Sequence, residues 1–528
     1  MNSYERKTLK RAQASRENWK QKAMSRLGII RKSNLRIRDL LKSRDMWRDR
    51  ALIAEKQLEQ VSSSPVKPPA IVAEKQQIYF ITVSVCINLV MNCLVSFRSV
   101  PKILSVFNTL LNQLGISTQI KLPHFTTVIG WTLRLGHYLL TRAFRPCFEP
   151  WICVIDHTIQ VGTKKAFVVL KIPISRLKKQ GALTLKEVEV LYLKVQEKSN
   201  GILVHDILEK IFKTVGNPLQ IVMDNGSDLK KGVSLLNDNM QTPIMVTYDL
   251  THFIASLLKK KYQNCYIFND FLSQLAQVKN KLQQTLFAYL IPGKSRSKSR
   301  FINLPPIAKY AKKIVAYLER LTKMDKKIFE QLIPEFRWLA DYKDFLKDFC
   351  EEIDILLEIQ KVMKNSRLND ITYKKVSNLI NQLSDPDMRN PLLEYVKKEF
   401  AFAKLHHFNT LQTSDCIESL FGKFKNISKP HCMSEINRMV LCLPCITEAI
   451  TPELTKDAFT YSKVKDYKDW INEEIPETLL SKRKQAFKEG TVPKTSGAQV
   501  FDFPTKLEAL LPIDCDGQKT VVAALAGG

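Results

Sequence analysis

The chain has 528 residues, long enough for several domains and at least one sizeable core. Its 81 Lys and Arg against 52 Asp and Glu leave a formal charge of +29, carried along the whole length rather than in one tail. A field of that sign favours a long polyanionic partner, nucleic acid first, although a ribosomal or membrane-surface protein carries such charge too. The 11 cysteines offer no metal signature. Cys442 and Cys445 have only Leu443 and Pro444 between them and no second close pair follows, so free thiols in a reducing cytosol are expected.

No secretory signal opens the chain, because residues 1–50 are polar and heavily charged. Residues 1–61 combine good helix formers with Leu, Ile and Trp at spacings of three or four, a pattern that predicts a basic helix or short coiled-coil arm, interrupted at Gly28. The stretch SSSPVKPP then marks a linker over 62–76, since its prolines lack the donor a helix needs. Residues 79–94 are apolar but short of the about 20 a membrane span requires. Ser84, Asn88 and Asn92 recur there every fourth residue, which suits one polar stripe on a packed helix, and no membrane partner is expected.

A helical region is predicted over 77–147. Within it, residues 96–140 place one helix before Gly115 and another after Pro123, a helix-turn-helix candidate for DNA with Thr126, Thr127, Trp131 and Arg134 near its recognition side. A small helical packing domain accounts for the same pattern.

The hydrophobic period then changes. WICVIDHTIQVG (151–162) is a strand carrying Asp156, AFVVLKIPI its hairpin partner, and EVEVLYLKV a third strand. A helix follows, then LQIVMDNGSDLKKG (219–232), a buried strand that stops at Asp224 before a turn and a helix start. IMVTY (244–248) supplies a fifth strand and a helix comes after it. Three strands, helix, strand, helix, strand, helix is the layout of an RNase H-like mixed sheet, with a first part of the core over 148–262. In that layout Asp156 and Asp224 are neighbours in mid-sheet. Carboxylates at the ends of apolar strands are costly unless paired or bound to metal. Asp249 and His252 follow the fifth strand, where a helix cap and a surface histidine are the expected roles, and tuning of the site the other.

The pattern from 263 to 403 is long and helical, an all-helical insertion domain. Trp338 within it is a candidate for stacking on an unpaired base, set against burial in the helical core. IPGKSRSKSRFINLP (291–305) gathers Lys294, Arg296, Lys298 and Arg300 among serines, as a loop tracking a phosphate backbone does. The core resumes over 404–450 with TSDCIESLFGKFKN, where Ile417, Leu420, Phe421 and Phe424 form an apolar stripe. Glu418 and Lys425 share another face, with Lys423 beside them. Residues 451–528 form a helical, basic region and a tail.

On VIDHTIQVG around Asp156, IVMDNGSDLKKG around Asp224 and SDCIESLFGKFK around Glu418, the chain resembles the DDE transposases of bacterial insertion sequences, distantly the Tn5/IS4 group. It keeps that group's Glu-to-Lys spacing at Glu418 and Lys425, while Leu411 and Ser414 stand where the group has Tyr and Arg. The resemblance implies an α/β chain with an RNase H-like catalytic domain interrupted by a helical insertion, preceded by a helical DNA-binding region. It implies Asp156, Asp224 and Glu418 as the catalytic and metal-binding triad, with two Mg²⁺ or Mn²⁺ ions. It further implies double-stranded DNA as partner, transposon ends and target alike, a homodimer on paired ends, and a cytoplasmic, nucleoid-associated bacterial setting. A nuclease without joining activity and a catalytically silent DNA-binding protein are the rival readings.

Overall fold

The computed structural model describes residues 15–20, 23–24, 26–27, 34, 37–38, 41, 44–45, 48, 78–116, 120–159, 162–177, 183–293, 301–324, 326–365, 368–406, 410–428 and 435–489. The chain forms two compact units, 1–77 and 78–528. In the first, the described residues are helical and exposed. The linker expected over 62–76, the basic loop with Lys294, Arg296, Lys298 and Arg300, and the tail beyond 489 lie outside the described residues.

The second unit opens with α1 (Phe80–Met91), α2 (Val100–Gln113) and α3 (Phe125–Ala143). The polar stripe of α1 turns toward protein at the buried Ser84 and at Asn88, whose Nδ2 donates to the Ile450 carbonyl at 2.8 Å, while Asn92 is exposed. Among the described residues no helix is long and apolar enough to cross a membrane.

The sheet consists of β1 (Trp151–Ile159), β2 (Lys165–Pro173), β3 (Glu189–Gln196), β4 (Gln220–Met223) and β5 (Met245–Tyr248), in the order β3-β2-β1-β4-β5. β1 pairs antiparallel with β2, which pairs antiparallel with β3, whereas β1–β4 and β4–β5 are parallel. Each parallel step is bridged by a helix, α4 (Gly201–Val215) before β4 and α5 (Ser227–Asp238) before β5, as a parallel crossover requires. The central strands are buried on both faces and so read as unbroken apolar runs. Trp151, Cys153 and Ile155 of β1 pack with Phe167, Leu208 and Ile211 on the α4/α5 side. By strand alternation Ile152, Val154 and Asp156 face the other side.

After β5 the chain enters α6 (Leu250–Tyr262), α7 (Tyr266–Leu282), α8 (Leu304–Met324), α9 (Lys326–Phe336), α10 (Lys343–Asn365), α11 (Asp370–Asn381) and α12 (Pro386–His406). One continuous core runs through these helices, built around Phe268, Phe271, Phe349 and Leu392. This is the expected mixed sheet with a large helical insertion. The insertion is fastened back to the sheet by polar contacts. Thr247 Oγ1 donates to Glu399 at 2.9 Å, Tyr395 donates to the Tyr248 carbonyl at 2.8 Å, and Gln220 exchanges hydrogen bonds with Leu411.

The chain returns to the free face of the sheet with α13 (Asp415–Ser428), packed on β1, and the short α14 (Leu443–Thr447). α3 lies in the same layer, and a Cβ at Gly136 would stand 1.7 Å from the Leu441 carbonyl oxygen, so only glycine allows that approach. Cys442 and Cys445 are free, buried thiols in this layer. α15 (Pro452–Tyr461), α16 (Val464–Glu474) and α17 (Leu479–Glu489) complete the described chain. α15 packs on α1, and the buried Glu474 accepts from the Val195 amide at 2.8 Å and pairs with Lys194 at 2.7 Å, covering the edge strand β3.

Candidate active site

The register of β1 and β4 sets the site. Ile155 pairs with Met223, so Asp156 and Asp224 are the next two residues of adjacent parallel strands and leave the sheet on the same face. Asp156 Oδ1 accepts the His157 amide at 2.6 Å. Asp224 Oδ1 accepts the Gly226 amide at 2.9 Å, and a Cβ on residue 226 would stand 2.9 Å from that same oxygen. Burial raises the Asp156 carboxyl to about 7, and the charges of Asp224 and Glu418 push the same way while His252 opposes them. The Asp156 carboxyl therefore feels the charges of both other carboxylates of the expected triad.

Glu418 reaches this face on α13. Cys416, Ile417, Leu420, Phe421, Phe424 and Ile427 are buried against the sheet layer, which turns Glu418, Lys423 and Lys425 outward. The Glu418 side chain is 50% exposed, and His252 Nε2 donates to its Oε1 at 2.9 Å. That bond, with the charges of Asp249, Glu418 and Asp224, raises His252 to about 9 against the opposing effect of burial, so it is an imidazolium at neutral pH.

Asp249 joins the elements that carry these groups. It is 1% exposed. Its amide donates to the Met223 carbonyl at 2.8 Å, directly before Asp224. One carboxylate oxygen caps α6 by accepting the His252 amide at 2.9 Å. The other accepts both the amide and, at 2.8 Å, the hydroxyl of Ser414, the residue preceding α13. Asp249 is thus the helix cap that its position suggests and also a clamp on α13. His252 departs from the expected surface histidine, since it is bonded to Glu418. The signal in the sequence was a short polar pair, Asp-x-x-His, directly after a buried strand.

Asp156 and Asp224 suit a divalent cation, because they are hard oxygen donors whose mutual repulsion such an ion relieves. The full set is not gathered, however. Among the described residues no three His, Cys, Asp or Glu side chains stand close enough together to hold a metal ion.

The other expected DNA contacts divide. Lys423 and Lys425 are exposed on α13. Burial lowers the pKa of Lys186, and the charge of Lys423 lowers it further, so basic charge continues from α13 toward the start of β3. Arg134 is not at a recognition surface. Its guanidinium donates to the Ser462 carbonyl and, at 2.6 Å, to the Phe459 carbonyl, and lies 4.4 Å from the Phe459 ring centroid. It staples α3 to α15, and of the four residues expected on the recognition side only Thr126 and Thr127 are exposed. Trp338 is likewise turned inward. Its Nε1 donates to the Glu335 carbonyl at 2.8 Å, and its ring packs 5.8 Å from Phe271 and 5.5 Å from Tyr342.

No family model and no curated protein sequence matches the chain. Among solved structures it is similar to one described as a Drosophila P element transposase strand transfer complex, at a TM-score of 0.36 and 13% identity, over 75% of this chain and 98% of that one. At that score the likeness carries no weight, and the carboxylate geometry stands by itself.

Proposed function

We propose that this chain is a metal-dependent DNA phosphoryl-transfer enzyme of the DDE transposase kind, cleaving at transposon ends and joining the freed 3′-hydroxyl to target DNA. The observation that carries the reading is the in-register pair of Asp156, within β1, and Asp224, directly after β4, with Glu418 on a neighbouring helix that exposes lysines. Two half-buried carboxylates side by side, each disfavouring the charge of the other, are costly to a fold and point to a functional centre.

Asp156 and Asp224 are the residues that would hold a cation, with Glu418 as the third donor. A bound Mg²⁺ or Mn²⁺ pair supplies Lewis acidity at the scissile phosphate and lowers the pKa of an attacking water or 3′-hydroxyl. The chain's own residues do the rest. Lys423 and Lys425 hold the phosphate backbone one to two turns beyond Glu418, and the paired strands β1 and β4 fix the in-line geometry. Action as a homodimer on paired ends, in the cytoplasm of the host cell, belongs to the same reading.

The test is cleavage and strand joining on DNA carrying candidate terminal sequences, with and without Mg²⁺, for the wild type, Asp224→Asn and Glu418→Gln. Joined products lost in both variants support the reading. Cleavage without joining favours a nuclease on the same carboxylates, and DNA binding with no metal-dependent chemistry contradicts both.

A further inference from the structure

Two helices start from a single buried carboxylate. Asp249 caps α6 through one oxygen and holds Ser414 at the head of α13 through the other. His252 lies three residues beyond Asp249, and Glu418 four beyond Ser414, about one helical turn in each case. The first turns therefore run side by side from a common anchor, and their outward side chains meet at 2.9 Å. A second strap, from the Leu250 amide to the Gln412 carbonyl at 2.8 Å, fixes the same junction. Asp249 also hydrogen-bonds the last residue of β4, so the position of Asp224 is tied to the same point.

Packing does not account for the orientation of Glu418. The buried stripe of α13 fixes the helix and leaves Glu418 half-exposed, where a long side chain has several rotamers open to it. Its carboxylate nevertheless lies on His252, while no three ligating side chains among the described residues converge.

We infer that Asp249 and His252 are positioning residues that hold Glu418 off the aspartate pair, and that Glu418 exchanges His252 for a divalent cation once Asp156 and Asp224 have taken one up. This rests on the phosphoryl-transfer reading of the same carboxylates and adds an order of events to it. The exchange passes the carboxylate of one residue from the imidazole to the ion. It also ties metal loading to the anchor. Loosening Asp249 frees both helices at once, whereas removing the imidazole frees Glu418 alone. A protein whose competent form is a minor population binds its ligand more weakly in proportion to that fraction, so the bond to His252 acts as a competitor of the ion.

The experiment uses the full chain with ¹⁵N-labelled histidine and needs no turnover. Mg²⁺ is titrated into the wild type, with the His252 signal assigned by its absence in His252→Ala, and Mn²⁺ affinity is measured in parallel by electron paramagnetic resonance of the free ion. Mg²⁺ is expected to shift the His252 Nε2 resonance in the wild type and not in Glu418→Gln. His252→Ala should bind Mn²⁺ about three- to tenfold more tightly, by release of the competing contact. A mere supporting role for His252 gives the opposite sign, and weaker Mn²⁺ binding in His252→Ala overturns the exchange. The anchor is tested by Ser414→Ala, which removes one of the two bonds from Ser414 to Asp249 and leaves the amide bond in place. It should alter the His252 resonance before metal is added, and an unchanged resonance would count against the common anchor. Wild-type protein that binds Mn²⁺ and cleaves DNA with an unmoved His252 signal overturns the exchange alone. Protein that binds no Mn²⁺ overturns the phosphoryl-transfer reading, and the exchange with it.

Discussion

The sheet and the helical insertion use the same residue types to opposite ends. Around the sheet, charge is carried into the interior. Asp156 lies beside Asp224, Asp249 is buried at the junction of two helices, and Glu399 and Glu474 are buried against strands. In the insertion the interior is mainly aromatic and aliphatic, with Phe268, Phe271, Phe336 and Phe349 fully enclosed, and its buried Glu352 is neutralised by Lys261 and accepts from the Tyr262 hydroxyl at 2.9 Å. A strand ladder satisfies its own backbone and leaves its residues free to present side chains on either face, whereas a helix bundle is held chiefly by its apolar stripes. The contrast teaches where to look for chemistry in this chain. On this reading the paired strands β1 and β4 and the helix heads anchored beside them carry it, and the insertion supplies bulk and surface.

The largest expected effect separates the two regions most sharply. Asp156→Asn should cut metal-dependent cleavage on the order of 10⁴-fold while the protein stays folded, measured by cleavage rate beside a denaturant curve. In the insertion the order reverses. Phe349→Ala should destabilise the chain by about 3–5 kcal/mol in urea unfolding, by lost transfer and a cavity, and leave cleavage by the folded fraction unchanged. A cleavage defect equal to that of the aspartate variant would erase the distinction between the regions.

A smaller effect sits where the two regions meet. Burial raises the Glu399 carboxyl to about 8, against hydrogen bonding from Thr247 and the charge of Lys398. The native state therefore binds this proton more tightly than the unfolded chain, whose glutamate titrates near 4.5. Its contribution to stability is complete below about pH 4.5 and is lost as pH rises through about 8. Wild-type protein should lose melting temperature relative to Glu399→Gln across that window, and parallel curves would show that Glu399 does not bind its proton in the fold.

The smallest effects concern DNA. Lys423→Gln with Lys425→Gln should reduce the slope of log affinity against log salt by about two, one unit for each lost phosphate contact. Trp338→Leu should leave single-strand affinity within about twofold, since a stacking role predicts a loss of about 1–3 kcal/mol.

The strands were legible because buried strands read as short apolar runs bounded by turns, and their order already made neighbours of Asp156 and Asp224. The insertion was legible from its length and helical period. Individual fates within it were not, because an aromatic on an amphipathic helix looks alike whether it stacks on a base or, as Trp338 does, on Phe271 and Tyr342. Arg134 failed for a related reason. A cation on a helix face carries no mark of the carbonyls waiting at the end of α15, more than 300 residues away. The Asp249 clamp was invisible for the same cause, since Ser414 lies on the far side of the insertion. Local pattern reveals elements and register, while contacts closed by a long insertion emerge only from the folded chain.

The central claim, that the carboxylates carried by β1, β4 and α13 are one catalytic centre, is tested most directly by measuring Mg²⁺-dependent cleavage and 3′-end joining for the wild type beside Asp156→Asn, Asp224→Asn and Glu418→Gln. The account predicts joined products from the wild type and none from any of the three variants, each still folded and still binding DNA. Activity that survives any one of these substitutions would contradict it.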